Sequence, residues 1–144
     1  MAFVGKTICV IDGQGGGIGA TLIKYLKERF GECHELIALG TNAIATAQML
    51  KAGANRGASG ENAVCRTVAG GVDFIVGTMA VTWANAMLGE VTPKIAEVVM
   101  SSPAKKVILP LAQENVEIIG VAREPLPHLV QFAVEKIEEA MKNV

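Results

Sequence analysis

Apolar residues follow two rhythms along this chain. An unbroken apolar run at residues 7–11 (Thr-Ile-Cys-Val-Ile) predicts a buried strand. Ile18, Leu22, Ile23, Leu26 and Phe30 then recur at helical spacing, with Lys24, Lys27, Glu28 and Arg29 pointing elsewhere, which predicts a helix over 18–30. Gly31 ends it. Residues 35–40 predict a second buried strand, after which Thr41-Asn42 caps an alanine-rich helix running to about Ala52 and closed by Gly53. Residues 54–59 read as a turn-rich loop and 60–69 as a short helix stopped by Gly70-Gly71. A third strand is predicted over 73–77, a helix over 78–88, and a further helix opened by Thr92-Pro93 and running to Ser101, with proline at the favoured first position. Residues 105–111 and 116–122 predict two strands. Their connection, 112–115, is too short for a parallel crossover, so the last strand is expected to run antiparallel to its neighbour. In the final helix Leu126, Leu129, Val130, Ala133, Val134, Ile137, Ala140 and Met141 form one stripe, opposite Glu135, Lys136, Glu138, Glu139 and Lys142.

Strands alternating with helices in this way predict an α/β fold: a three-layer αβα Rossmann-like sandwich with a mainly parallel sheet and an antiparallel last strand. With 144 residues and no linker or repeat, one nucleotide-binding domain over 1–144 is expected. In such sheets ligands sit beyond the carboxyl ends of the strands, beside the first strand. That nominates the loops 12–19, 40–42, 77–79 and 110–115.

Composition narrows the partners. Hydrophobic residues make up 51% of the chain and mean hydropathy is +0.40, yet the uncharged runs 36–50 and 74–89 fall short of a membrane span of roughly 18–20 apolar residues. Two elements apolar on nearly every side are hard to bury in one small domain. A homo-oligomer is therefore expected, with Met79, Val81, Trp83 and Met87 as interface candidates. A formal charge of −1 and 4% aromatic residues offer neither a phosphate-tracking patch nor base-stacking platforms, so no nucleic-acid partner is expected. Cys9, Cys33 and Cys65 lack C-x-x-C spacing, and with no leader evident they read as reduced thiols of a cytoplasmic protein.

The chemistry concentrates at Asp12, Gly13, Gln14, Gly15, Gly16, Gly17, Ile18 and Gly19, between the first strand and the first helix. Glycines remove side chains where backbone N–H groups must approach a phosphate, and a helix N-terminus supplies unpaired donors with a favourable dipole. A nucleotide or phosphate ligand is expected here, NAD(P) or another nucleotide. The dinucleotide fingerprint G-x-G-x-x-G fails, since Gly13 and Gly15 are followed by Ile18, but G-x-x-x-G-x-G is met by Gly13, Gly17 and Gly19. Over this segment the chain resembles short-chain dehydrogenases; their Tyr-x-x-x-Lys pair is absent, because the sole tyrosine, Tyr25, is followed at that spacing by Arg29. A Walker A ending is absent too.

A carboxylate directly before a glycine loop would repel a bare phosphate, and three accounts of Asp12 stay open. Its oxygens accept N–H groups of the loop itself, or it bonds a ribose hydroxyl or cationic ligand, or it holds Mg²⁺ against a phosphate. The acidic residue that holds a ribose at the end of the second strand in NAD sites is replaced by Gly40-Thr41-Asn42, so Thr41 and Asn42 are candidate donors to a ribose or 2′-phosphate as well as helix caps. Thr78, in the nominated loop 77–79 after the third strand, is a further candidate on the same edge. Arg56 with Gly60-Glu61-Asn62 could fold over the site, Asn85 in an apolar helix requires a partner, and Glu90, Thr92 and Lys94 read as a surface turn. His34 and His128 have no partners at ligand spacing, so no metal site is expected, and no Ser/His/Asp or Cys/His constellation is identifiable.

Residues 11–19, 38–46, 87–93 and 125–128 together resemble the DUF3842 family, bacterial domains of unknown function with a Rossmann-like glycine loop. That resemblance covers nearly the whole chain and supplies no activity. It implies a small bacterial cytoplasmic protein made of this domain alone. The leading expectation is a redox or ligand-sensing protein that binds a nucleotide at the glycine loop. The alternatives are a non-catalytic oligomeric module, or a Mg²⁺-dependent phosphotransfer or hydrolytic enzyme using Asp12.

Overall fold

A computed structural model describes residues 5–111 and 114–142. The elements in chain order are β1 (Thr7–Asp12), α1 (Gly17–Phe30), β2 (Glu35–Gly40), α2 (Ala43–Lys51), β3 (Arg56–Ser59), α3 (Glu61–Ala69), β4 (Phe74–Thr78), a 3-10 turn (Met79–Thr82), α4 (Pro93–Ser101), β5 (Lys105–Leu109) and α5 (Leu126–Lys142). The five strands form one sheet in the order β3-β2-β1-β4-β5, and every pairing is parallel.

Alternation along the strands divides the core between the two faces of this sheet. Ile8, Val10, Leu36, Ala38 and Val76 meet α1, Met49 of α2 and the Leu129, Val130, Ala133, Val134, Ile137 stripe of α5. Cys9, Ile11, Ile37, Leu39 and Ile75 point the other way, against Val64 and Val68 of α3 and Ile95 and Val99 of α4. Helices therefore cover both faces, as buried parallel strands require. Pairing of Asp12 with Gly40 sets the carboxyl ends of β1 and β2 level, and Asp73, bonded to Thr7 N–H at 2.8 Å, lies at the opposite end.

The structure corrects the expected elements at three places. Residues 56–59 are a strand, β3, rather than loop; its four residues are all exposed and pair only with β2, so no burial pattern marks them. Of the expected helix 78–88, Thr78 ends β4 and 79–88 form a single 3-10 turn followed by tight turns, with φ of 67° at Asn85 and 57° at Met87 and Leu88. This knot closes on itself through Asn85 N–H to Val91 O (2.6 Å) and Val91 N–H to Ala86 O (3.1 Å), burying Ala86 and Val91. Its apolar residues Ala80, Val81, Ala86 and Val91 join the core on the α3/α4 face of the sheet, and Asn85 is exposed in a turn instead of buried in a helix.

The third correction concerns the antiparallel last strand. Residues 116–122 form no strand, and the last strand of the sheet is β5, parallel to β4. Val116, Ile119 and Val121 are exposed, and Gly120 turns the chain at φ 85°, so apolarity here is not matched by a buried face.

Candidate functional site

The loop after β1 is held by its own carboxylate. Asp12 Oδ1 accepts the Gly13 N–H at 2.8 Å and Oδ2 accepts the Gly19 N–H at 2.7 Å, so one buried side chain clamps both ends of the loop. Of the three accounts of Asp12, this geometry is the first, in which the loop's own amides are the partners. Burial raises the Asp12 carboxyl above its ordinary range, the Gly19 and Gly13 amides draw it back, and the nearby Glu90 charge adds to the rise.

The glycines fall into two groups. A Cβ on Gly16, whose φ is 76°, would lie 2.7 Å from the Ala45 Cα; one on Gly19 would lie 2.6 Å from Met49 Sδ and 2.8 Å from Asp12 Cβ. One on Gly13 would overlap Thr41 Oγ1 and lie 2.7 Å from Met87 Sδ. These three glycines are demanded by the turn and by the approach of α1 and α2 to the sheet. Gly15 and Gly17 are different: neither has a left-handed φ, and a Cβ on either would meet nothing within 4 Å.

That open space is a cavity of about 420 Å³. Its floor is Asp12 with the loop 13–18, and its walls are Thr78, Ala80, Met87, Leu111 and Glu114. It lies between the ends of β1 and β4, where the winding of the sheet reverses, the usual place for a ligand in an open α/β sheet. Helix α1 starts there with no side-chain cap and no acidic residue in its first turn. Among the described residues the amides of Gly15, Gly17 and Ile18 take no hydrogen-bond partner, while the Gly16 N–H bonds Gly13 O at 3.0 Å. Three free donors at a positive helix end can meet an oxyanion.

Thr41 and Asn42, candidate donors to a ribose, do not line this cavity. Asn42 Oδ1 caps α2 by accepting the Ala45 N–H at 2.9 Å, and its Nδ2 donates to Gln14 O at 3.0 Å and to Glu90 Oε1 at 2.8 Å. Thr41 Oγ1 donates to the same Glu90 oxygen at 2.7 Å, and so does the Gln14 N–H at 2.9 Å. Glu90 is thus a tie that fixes the glycine loop to the end of β2. Burial alone would raise its carboxyl; the Gln14, Thr41 and Asn42 donors outweigh that and hold it below the ordinary carboxylate range.

Glu90, expected in a surface turn, is the residue that sequence spacing missed, because its partners lie 48 to 76 positions away. Glu114 was nominated only as part of a loop: its Oε1 accepts the Met87 N–H at 2.9 Å, and its Oε2 is buried without a partner. Arg56 does not close over the site; it pairs with Glu35 at 2.9 Å. Glu61 accepts from Thr92 Oγ1 at 2.7 Å. Val81, an expected interface residue, is fully buried inside the chain, and Trp83 and Met87 pack against the same core cluster. Among the described residues no group of three His, Cys, Asp or Glu side chains is placed to hold a metal, and no helix is long and apolar enough to cross a membrane.

Comparison with known proteins gives remote likenesses of fold. A probable oxidoreductase from Mycobacterium abscessus is 20% identical over 99% of this chain at a TM-score of 0.48, and the chain spans only 42% of that protein's length. A universal stress protein in complex with cAMP is 18% identical over 72% of this chain and 97% of its own, with a TM-score of 0.41. A dodecameric FMN-dependent UbiX-like decarboxylase from Escherichia coli O157:H7 is 14% identical over 92% of this chain and 76% of its own, with a TM-score of 0.45. No curated protein matches by sequence. The family model described as Domain of unknown function (DUF3842) matches residues 7–142, and the chain belongs to that family.

Proposed function

We propose that this is a Rossmann-like domain that binds a nucleotide or a related phosphate-bearing small molecule at the loop 13–19 and serves as a ligand-sensing or redox protein. The observation that carries the reading is the pair Gly15 and Gly17. The fold needs no glycine at either place, yet both keep open the wall where three free amides face a cavity at the sheet's switch point. A purely structural loop would use its glycines as Gly13, Gly16 and Gly19 are used. Thr78 faces the same cavity, and Thr41 and Asn42 support the loop from behind through Glu90.

Thermal shifts with a nucleotide panel, run on the wild type and on Gly17→Val, test this. The valine side chain projects into the cavity, so any nucleotide that stabilises the wild type is expected to lose at least about tenfold in affinity, roughly 1.4 kcal/mol. Unchanged affinity in Gly17→Val overturns the site. Self-association belongs to the same proposal, supported by Ile44 and Leu50, 67% and 40% exposed on α2. Light scattering that returns a single-chain mass at every concentration removes that part.

A further inference from the structure

Two open surfaces meet along the β3 edge of the sheet. The Thr41 N–H bonds Asp12 O at 2.9 Å, so odd-numbered residues of β2 turn their backbone groups to β1 and even-numbered ones to β3, as in the 2.8 Å bond from the Gly60 N–H to Gly40 O. With Gly40 in register with Ser59, Arg56 and Ala58 face β2, while Gly57 and Ser59 turn their N–H and C=O groups outward. Among the described residues no backbone group of another element meets them, and all four residues of β3 are exposed. Proteins ordinarily blunt such an edge with lysine, proline or a bulge. This one reads Arg-Gly-Ala-Ser, and its single charge is drawn onto Glu35 at 2.9 Å.

The helix beside that edge has a solvent face nearly free of charge. Helix α1 exposes Lys24, Glu28 and Arg29, and α5 exposes Glu135, Lys136 and Glu139, whereas α2 exposes Ala43, Ile44, Ala47, Gln48 and Leu50, with Lys51 at its end. Leu50 marks the side of α2 next to β3, since a Cβ on Gly57 would lie 3.1 Å from its Cδ2. At 3.6 residues per turn Ala43 and Ala47 share that side, and Ile44 stands about 120° round from Leu50.

Deepening the self-association part of the proposed function, we infer that a second copy of this chain docks here about a twofold axis. β3 pairs antiparallel with β3 of the copy, Gly57 opposite Gly57, and α2 packs on α2 through Leu50, Ala47 and Ala43. Gly57 set against its own copy exchanges both of its outward backbone bonds, with no side chain at the axis. A loose strand from another protein would pair the edge and leave Leu50 in water. A second copy supplies strand and helix together at the matching offset, each about 13–14 Å long. Charge agrees, because a twofold contact brings each charge near its own copy, and the face offers only Lys51, which falls at opposite ends of two antiparallel helices. The face measures about 14 Å by 15 Å, below the roughly 800 Å² per partner of a standard interface, so the dimer is a reversible one.

Sedimentation equilibrium on wild type, Leu50→Glu and Ile44→Glu from about 10 μM to about 1 mM tests this, with melting curves as the folding control and amide hydrogen exchange of the wild type at both ends of that range. The wild type is expected to dimerise within it. Leu50→Glu should weaken the dimer at least about tenfold, while Ile44→Glu, at the more exposed residue, changes it less than about threefold. The Gly57 and Ser59 amides should exchange at least about tenfold more slowly at the high concentration. Suppose the wild type self-associates while those two amides exchange alike at both concentrations, or while Leu50→Glu of unchanged melting temperature associates like the wild type, or while Ile44→Glu weakens the dimer as much as Leu50→Glu does. Any of these overturns the inference and leaves self-association to another surface. A single-chain mass throughout removes both.

Discussion

Replacing Gly17 with alanine should make the protein more stable and a poorer binder at once. Gly17 is the first residue of α1, its φ is not left-handed, and an added Cβ meets nothing within 4 Å. The folded state therefore pays no steric penalty, and the unfolded chain loses freedom, a gain of about 0.4–1 kcal/mol. For a chain of this size that raises the melting temperature by roughly 2 °C. Gly16→Ala is the contrasting variant one position away. At φ 76° with the Ala45 backbone 2.7 Å from its Cβ, it combines a left-handed penalty of about 1 kcal/mol with about 1–3 kcal/mol of overpacking. Urea unfolding of wild type, Gly16→Ala and Gly17→Ala, followed by far-ultraviolet circular dichroism, measures both. A Gly17→Ala loss of more than about 1 kcal/mol would refute the division of the loop into glycines the fold needs and glycines it does not.

Other expectations follow from the carboxylates and thiols. Glu90→Ala leaves the Gln14 N–H, the Thr41 hydroxyl and the Asn42 amide without their shared acceptor and should destabilise by about 2 kcal/mol in urea unfolding, with Glu90→Gln milder because its carbonyl still accepts; equal stability of Glu90→Ala and wild type would remove the tie. Asp12 is held above its ordinary 3.8, so the folded chain keeps that proton more tightly than the unfolded one; the stabilisation this gives is full below 3.8 and is lost as pH rises through the folded value. Asp12→Asn, which can accept only one of the two amides, should abolish that part of the pH profile and cost about 2 kcal/mol near neutrality, measured by melting across pH. Burial, with the Glu35 charge adding to it and Arg56 opposing, pushes the Cys9 thiol up to about 12, whereas Cys33 is exposed. Thiol titration of the native protein at pH 8 should label Cys33 first and Cys9 only after unfolding; early Cys9 labelling would contradict its place in the core.

Most of the wound sheet was legible because its signals are local. β1, β2 and β4 are unbroken apolar runs, and α1 and α5 carry complete stripes. The family resemblance carried by the same loop stretches was also right over nearly the whole chain. Failures occurred where apolarity and periodicity part company. Residues 78–88 look helical because they are uncharged, but left-handed backbone at Asn85, Met87 and Leu88 folds them into tight turns packed on the α3/α4-face core. Val116, Ile119 and Val121 look like a strand, yet they are exposed and Gly120 turns the chain between them. Within the site, the position of the glycine loop from Gly13 to Gly19 was readable; the role of Asp12 was not, since the sequence left three accounts open and only the geometry shows its oxygens accepting the loop's own amides. Glu90 was not, since nothing near it in sequence shows that three donors from two other loops converge on one of its oxygens.

The central claim, that the open glycine wall binds a nucleotide-like molecule, is tested most directly on protein purified without added ligand, denatured, with the released small molecules identified by mass spectrometry. The account predicts a nucleotide or a related phosphate-bearing small molecule, recovered near one per chain from wild type and lost from Gly17→Val. Equal recovery of that molecule from both proteins, or recovery of nothing together with no thermal shift from any nucleotide, would contradict it.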